Sequence, residues 1–513
     1  MRYFLSFAYN VHDSSVSVCD ETRVLLVLEA ERFFGEKKKG CTRAEMDELI
    51  AAALAHCGVD VHELAGVVCT AYKNEHVPES LRHVKWLAEH ELAIQGVRFN
   101  ALVMNHHLAH AAIVHAFPDV SDVAIDVCDG GGDFGDTHGI YRYQHGRISQ
   151  LANRPIHDAF SSRFYDVVSR YVYGRIMCEG KLMALASLGQ TRSEMIAFVR
   201  DHLAMFHDAP PEQSCAELAR HFPFDDYRKS VVAFDLAASA QRVFEELRVE
   251  AVAALPSDTP DVMLAGGATL NIVANTRVRE FLQPKRRLLL PPCCDDTGQS
   301  LGALLYYCHE RAGLKVSAAM PFLGYSDRID ESTLTAADVT DELVAQLAAG
   351  GIVFLHRGQS EIGPRALGHR SILALPTRRS FDLINHVIKE REFYRPLAPI
   401  LPVESVSSWF DWEGESKYML YAAKTRRETQ LRAPGICHYD DTARLQTVSR
   451  GEDPFLHALL NQIGQATGAP ILINTSLNPR GAPILSKLPA TLAFRDSLPG
   501  LGIKVFHAGR FQS

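Results

Sequence analysis

Two apolar segments that each run straight into glycine narrow the fold more than any other feature. Val123–Cys128 leads into Asp129-Gly130-Gly131-Gly132-Asp133, and residues 261–265 lead into Gly266-Gly267, followed by a helical pattern from Ala268 to Phe281. Glycine permits sharp turns and close ligand approach, and strand, glycine turn, helix is a common phosphate-facing order. Apolar periodicity predicts further helices over 44–57, 158–173, 233–254 and 300–312. Residues 2–9, 14–19 and 24–29 read as strands, the first two joined by Asn10-Val11-His12-Asp13, a polar turn with His12 and Asp13 at its tip. Strands mixed with helices through the first 315 residues give the α/β class.

A chain of 513 residues is too long for one core. Between 314 and 348 it turns polar and alanine-rich, with Pro321 and Gly324 near the start and an amphipathic helix at the end. The strand pattern restarts at Ile352–Leu355, and Ile471–Ile473 forms another strand near the C-terminus. The expected domains are therefore 1–330 and 345–513, and no internal repeat or low-complexity tract is evident. A net charge of −8 argues against a broad DNA or RNA face, so no nucleic acid partner is expected. His12 and Asp13 interrupt the N-terminal apolar stretch, and no 18-residue apolar run follows, so neither export nor a membrane is expected. Eleven cysteines without a C-x-x-C pair, mostly inside apolar runs, suggest reduced thiols and a cytoplasmic protein.

In Asn105-His106-His107-Leu108-Ala109-His110, the strand Ala101–Met104 ends at a good N-cap, so His106 opens a helix and shares a face with His110. Two imidazoles one turn apart can bind one metal, but the spacing also arises by chance among 23 histidines. Asp129 stands at a strand end, and Asp296 follows another strand in Pro292-Cys293-Cys294-Asp295-Asp296-Thr297-Gly298. Both are where α/β ligand sites occur, although each alone is more often a cap or turn former, and it is the four together that point to a site. Two histidines with carboxylates suit iron, zinc or manganese. Glu179-Gly180-Lys181-Leu182-Met183 sets a lysine beside a glycine, and Gly266-Gly267-Ala268-Thr269-Leu270-Asn271 offers bare backbone and an amide. Both suit a nucleotide phosphate or ribose, against a tight turn and a solvated charge.

Later in the chain, Arg365, Arg370, Lys389, Arg391 and Arg395 gather positive charge, with Ser476 and Asn478 as neutral hydrogen-bonding residues. The planar guanidinium fork matches phosphate. The alternative is a surface cluster paired with Glu361, Glu390 and Glu392.

As a set, with His12-Asp13-Ser14-Ser15, these residues resemble the NodU/CmcH/TobZ family of O-carbamoyltransferases over almost the whole chain. The resemblance implies an actin-like ATPase fold for the first domain, similar to the Kae1/TsaD proteins of tRNA threonylcarbamoylation. By that resemblance His106, His110, Asp129 and Asp296 hold a divalent metal, iron first, and Lys181, Gly266, Gly267 and Asn271 bind an adenylate. His12, with Asp13, falls near the transferred carbamoyl group, where an imidazole near its working pKa can take the proton of an acceptor hydroxyl. A hydrogen-bonded turn histidine is the plain alternative.

The second domain is similar to YrdC/Sua5 proteins through Gly363–Ser371, Lys389-Glu390-Arg391-Glu392 with Arg395-Pro396, and Asn474–Asn478. It departs from the family pattern at His369, where asparagine is frequent, and at Ala482, where a glutamate commonly follows the glycine. The implied work of Arg365, Arg370, Lys389, Arg391, Arg395, Ser476 and Asn478 is to bind carbamoyl phosphate and ATP, with magnesium accompanying ATP, and to form carbamoyl adenylate. The first domain would then pass the carbamoyl group to a hydroxyl of a small molecule such as a secondary metabolite or antibiotic. A kinase or ATPase on the actin-like fold and threonylcarbamoyl transfer to tRNA are the competing readings. Homodimers are common at this size, and a homodimer stays open.

Overall fold

The computed structural model describes residues 2–153, 162–327 and 334–512. Its first sheet takes strands β1 (Tyr3–Ala8), β2 (Ser15–Cys19), β3 (Val24–Glu29), β4 (Leu64–Thr70), β5 (Leu87–Ile94) and β6 (Val97–Met104) in the order β3-β2-β1-β4-β6-β5. β1 pairs antiparallel with β2 and parallel with β4, and β4 runs parallel to β6. β1 and β2 are almost wholly buried, as expected of strands covered on both faces.

A second sheet repeats this plan. β7 (Asp122–Cys128), β8 (His138–Gln144), β9 (Arg147–Asn153), β10 (Asp261–Ala265) and β11 (Arg287–Leu289) lie in the order β11-β10-β7-β8-β9. β7 is again antiparallel to the second strand and parallel to the fourth, which in turn is parallel to the last. The first domain therefore contains a structural duplication that the sequence did not reveal. A strand order is kept by register and burial, which many apolar sequences satisfy.

Two helices pack together between the sheets, His106–Ala112 and Gln299–Tyr306. Asn105 caps the first as expected, its side chain accepting from the Leu108 N–H at 3.0 Å. The two meet at Gly302, where an added Cβ would stand 1.9 Å from the carbonyl oxygen of Ala109. Only glycine allows that approach, which carries the start of the second helix close to the two histidines. Residues 163–253 add a helical layer with its own apolar core. The helix expected over 158–173 is described from Arg163, its first residues lying outside the described ones. The pattern from Ala268 resolves differently: a short 3-10 turn occupies Gly267–Leu270, and the α-helix begins at Ile272 because Asn271 caps it.

The remaining strands make a seven-stranded sheet, ordered Gln446–Val448, Ala398–Pro402, Leu472–Ser476, Arg370–Ala374, Val353–His356, Lys504–His507, Arg510–Gln512. A small sheet of Phe410–Asp411, Ala422–Thr425 and Thr442–Arg444 flanks it. Among the described residues, no strand from before residue 353 enters these two sheets. The helix Asp341–Ala348 packs into their core, whereas Val316 and Leu323 pack on the first sheet. Part of the expected boundary, 328–333, lies outside the described residues. All eleven cysteines are free, eight of them buried. Among the described residues, no helix is long and apolar enough to cross a membrane.

A candidate metal centre and a cation cluster

Each donor of the first cluster sits where a regular element ends. The helix opening after Asn105 presents His106 and His110, β7 ends at Cys128 just before Asp129, and Asp296 opens the turn leading into Gln299–Tyr306. Nε2 of His106 lies 3.4 Å from Asp129 Oδ2 and 3.6 Å from Asp296 Oδ1. Nε2 of His110 lies 3.0 and 3.2 Å from the same two oxygens. All four donor atoms fall within 4.8 Å of one another. A divalent ion about 2.1 Å from each would space tetrahedral donors about 3.4 Å apart, so the set fits one ion.

The electrostatics agree. Burial opposes ionisation of Asp129, yet its hydrogen bonds to His106 and His110 hold its carboxyl well below the ordinary range. Burial likewise opposes a charged His110, but bonding to Asp129 and Asp296 raises it to about 9. The two carboxylates are thus balanced by charge on a buried imidazole, a balance that a cation bound by neutral imidazoles would take over. Asp133 steadies the helix from behind, its Oδ2 accepting the His106 backbone N–H at 2.6 Å.

His12 is beside this cluster. Its Nδ1 lies 2.9 Å from Asp13 Oδ2 and 3.7 Å from Asp296 Oδ2. Burial would lower its pKa, but the hydrogen bond to Asp13 and the Asp296 charge raise it to about 9. Asp13 is buried and has φ +58°, a conformation uncommon outside glycine, and Lys38 Nζ is 3.8 Å from its carboxylate.

The residues expected to bind an adenylate are divided. Gly266, with φ +85°, presses on the β7 end so closely that a Cβ would lie 2.2 Å from the Cys128 carbonyl oxygen, and Gly267 flanks Asp129. Asn271 is committed to structure: its Oδ1 accepts from the Ala274 N–H at 3.1 Å and from Gln241 at 3.0 Å, and its Nδ2 donates to Gln241 at 2.9 Å. Lys181 forms an ion pair with Glu392, joining the two parts of the chain.

The second cluster is made of cations. Arg365, Arg391 and Arg395 are half-buried, and Arg444, which sequence reasoning missed, stands with them. Burial, then the charges of Arg365, Arg391 and Arg395, holds Arg444 well below its ordinary value. Arg391 is pushed down to about 9 by burial and by Arg395 and Arg365. Lys389 is 2 % exposed, and burial followed by Arg391, Lys37 and Arg395 lowers it strongly. Its ammonium donates to Ser476 Oγ at 3.0 Å and to the carbonyl of Asn478 at 3.1 Å, so three expected residues meet here.

Two of the three acids that would have made this a neutral surface cluster are engaged elsewhere. Glu361 accepts from the backbone N–H groups of Leu367, Gly368 and His369, and Glu390 pairs with Arg480, while Glu392 pairs with Lys181 and, at 3.9 Å, with Arg395. Among the described residues, Arg365, Arg391 and Arg444 have no carboxylate ion pair, and buried Nε atoms of Arg365 and Arg444 have no partner. Arg370 is not brought to this cluster. Fully buried, it donates to the carbonyls of Gly358 at 2.9 Å and Ser486 at 3.2 Å, fastening a strand to its neighbouring loops.

The two clusters are neighbours. Gly363 donates its N–H to Glu29 at 2.6 Å, and Arg32 donates to the Gly363 carbonyl at 2.6 Å, which clamps the Gly-Pro-Arg segment onto the first domain. Asp295 lies between, buried, its pKa raised to about 6 by burial and by Asp13, with Lys38 opposing. Arg365 in turn feels the Asp295 charge.

A family model for the carbamoyltransferase N-terminus matches residues 83–305, and one for the carbamoyltransferase C-terminus matches 344–498. The chain belongs to the carbamoyltransferase family.

Among its relatives, the nodulation protein NolNO of Sinorhizobium fredii is 28 % identical over 93 % of this chain and 76 % of its own length. The 3'-hydroxymethylcephem-O-carbamoyltransferase of Streptomyces clavuligerus is 32 % identical over 61 % of each chain. Of solved structures, HypF of T. kodakarensis aligns over 61 % of this chain and 48 % of its own at 15 % identity, with a TM-score of 0.35, too low to argue from. Both family models include donors or cations described above, His106, His110, Asp129 and Asp296 in the first and Arg365 to Asn478 in the second.

Besides Arg444, sequence reasoning missed Lys37, which lies near Arg391 and Arg395, and Gln299, which touches the histidine–aspartate cluster. Lys37 belongs to the run Lys37-Lys38-Lys39 after Gly35, a visible charge signal with nothing local to aim it.

Proposed function

We propose that this chain is an ATP- and carbamoyl phosphate-dependent O-carbamoyltransferase acting through carbamoyl adenylate on a hydroxyl of a small molecule. The observation that carries the reading is the adjacency of the two clusters, a nest of arginines and lysines with few carboxylate partners beside two histidines and two carboxylates arranged for one divalent ion.

In the second domain, carbamoyl phosphate and water give phosphate and carbamate, whose oxygen displaces pyrophosphate from the α-phosphorus of ATP. Arg365, Arg391, Arg395 and Arg444 supply the charge that polyphosphate requires, and their mutual repulsion makes the anion-bound state the favoured one. Lys389, tied to Ser476 and Asn478, anchors one end of this nest.

In the first domain, an acceptor hydroxyl attacks the carbamoyl carbon, the bond to the adenylate phosphate breaks, and AMP and a proton leave. A divalent ion, iron by family resemblance, held by His106, His110, Asp129 and Asp296 would supply Lewis-acid stabilisation of developing negative charge. With Asp13 at its Nδ1 and its pKa raised to about 9, His12 would meet the acceptor hydroxyl through Nε2, orienting it near neutral pH and taking its proton only in the neutral form. Gly266 and Gly267 leave the space beside Asp129 free of side chains for the adenylate. The repeated five-strand order supports the actin-like reading of this domain, and the separate seven-stranded sheet is compatible with a YrdC-like second domain. The clamp at Gly363 and the Lys181–Glu392 pair close the domains on each other, which would shield a water-labile adenylate in transit.

The test is product analysis with ATP and carbamoyl phosphate. The reading expects phosphate and pyrophosphate from the activation step and AMP on transfer. ADP as the nucleotide product would instead favour a kinase or ATPase on the same fold.

A further inference from the structure

Three parallel strands of the first sheet, β1, β4 and β6, stand side by side and end at one edge. The segments after them carry His12, Tyr72 and His106 in that order. They are held together by the Tyr9 N–H donating to Thr70 Oγ1 at 3.1 Å and the Ala71 N–H donating to the Met104 carbonyl at 2.8 Å. Tyr72 therefore leaves the sheet between His12 and the histidine–aspartate cluster, at the strand ends where ligands of α/β sheets gather. Its ring meets the His106 ring edge-on at a centroid separation of 5.3 Å. Burial, followed by the charges of Asp296, Asp133 and Asp129, raises the phenol, which places it on the side of those carboxylates. Among the described residues its hydroxyl has no hydrogen-bond partner.

From the second sheet, the loop after β7 closes over the same place. A Cβ at Gly132 would stand 3.1 Å from His106 Cδ2, so this loop crosses the imidazole at contact distance. Asp133, buried, fastens it by accepting the backbone N–H groups of His106 at 2.6 Å and Val84 at 3.1 Å. Beyond that anchor the loop turns Phe134 outward, 56 % exposed and with φ +58°, a conformation that strains a bulky residue and persists only where the surroundings enforce it. The His83 side chain is 44 % exposed, and its ring centroid lies 5.5 Å from that of Phe134 and 5.9 Å from that of Tyr72. Tyr72, His83 and Phe134 thus make one run of rings from His106 to solvent, with the exposed Lys73 at its rim, Nζ 5.3 Å over the Tyr72 ring. A phenylalanine ring held in water on a strained backbone forfeits apolar burial, which an apolar ligand would restore.

We propose that Tyr72, His83 and Phe134 form the acceptor site, and that the acceptor carries its hydroxyl beside a ring or another flat, largely apolar face. The inference rests on the carbamoyl-transfer reading given above. Such a face stacks on the His83 and Phe134 rings, where offset contacts between flat groups are favourable, while the hydroxyl reaches inward past Tyr72. The Tyr72 phenol donates a hydrogen bond to the hydroxyl oxygen, holding it while its proton faces His12.

Saturation-transfer NMR on the full chain with benzyl alcohol and ethanol as probes tests this, together with mass-spectrometric detection of their carbamates when ATP and carbamoyl phosphate are supplied. The unmodified protein should saturate the benzyl ring protons and use benzyl alcohol at least about tenfold better than ethanol in kcat/KM. Phe134→Asn, which removes the ring with a residue that tolerates the left-handed backbone, should lower the ring saturation and bring that ratio to within about threefold of unity. His83→Ala should act in the same direction, and it carries the test if Phe134→Asn does not fold. Tyr72→Phe, which removes one hydroxyl, should lower kcat for both alcohols alike and leave the ratio in place. Ring saturation decides the matter if neither alcohol is turned over. Folded variants with unchanged ring saturation, or no ring saturation by the unmodified protein, would overturn the acceptor site and leave carbamoyl transfer standing. Absence of phosphate and pyrophosphate release from the unmodified protein would overturn the underlying reading instead.

Discussion

The two clusters differ in how their residues are held. In the histidine–aspartate cluster all four expected residues converge, because each closes or opens a regular element whose direction the sequence pattern already fixes. In the cation cluster one expected member, Arg370, serves as an internal brace, while Arg444 comes from a short strand and Lys37 from the other domain. Charge in loops is easily counted in a sequence, but its aim depends on tertiary packing.

Substitutions can break this contrast, and the largest effect belongs to the metal donors. His110→Ala should lower metal affinity by more than about 100-fold, measured by chelator competition, since it removes a buried ligand outright. An affinity within a few-fold of the unmodified protein would place the ion elsewhere.

Arg444→Ala should raise the KM for carbamoyl phosphate or ATP by about 10- to 100-fold, read from phosphate and pyrophosphate release, and leave metal affinity unchanged. Arg370→Met should behave in the opposite way. We expect a loss of about 2–4 kcal/mol in unfolding free energy, because its partner carbonyls are left buried without donors. KM in the fraction that remains folded should hardly move.

A last effect is on pH dependence near Arg370, and it vanishes at neutral pH. His356 is buried, and burial followed by the Arg370 charge lowers its pKa to about 3, with Asp327 opposing. A depressed folded-state pKa means that the unfolded chain binds more protons. The contribution of His356 is therefore fully present above about pH 6.5 and is lost as pH falls towards 3, by up to about 1.4 kcal/mol per pH unit. His356→Gln should flatten that acid limb in denaturant titrations at pH 7, 6, 5 and 4.

Much of the first domain was legible in the sequence. The hairpin carrying His12 and Asp13, the capped helix at His106 and the two strand–glycine turns all follow from local patterning. The duplicated sheet was not, because strand order is not a local property. Asn271 shows a second reason: asparagine before a helix reads equally as a ligand and as a cap, and here the cap used its oxygen. Gln299 shows a third, since a lone glutamine carries no spacing signal. Only Gly302, by bringing two helices together, puts it against the donors.

The central claim is a division of labour between the clusters, and Asp129→Asn tests it most directly. With ATP and carbamoyl phosphate supplied, the account predicts that this variant still releases phosphate and pyrophosphate at close to the unmodified rate while carbamoylated product falls by about 100-fold or more. Loss of pyrophosphate release together with product would contradict it, because the metal donors would then belong to the activation step.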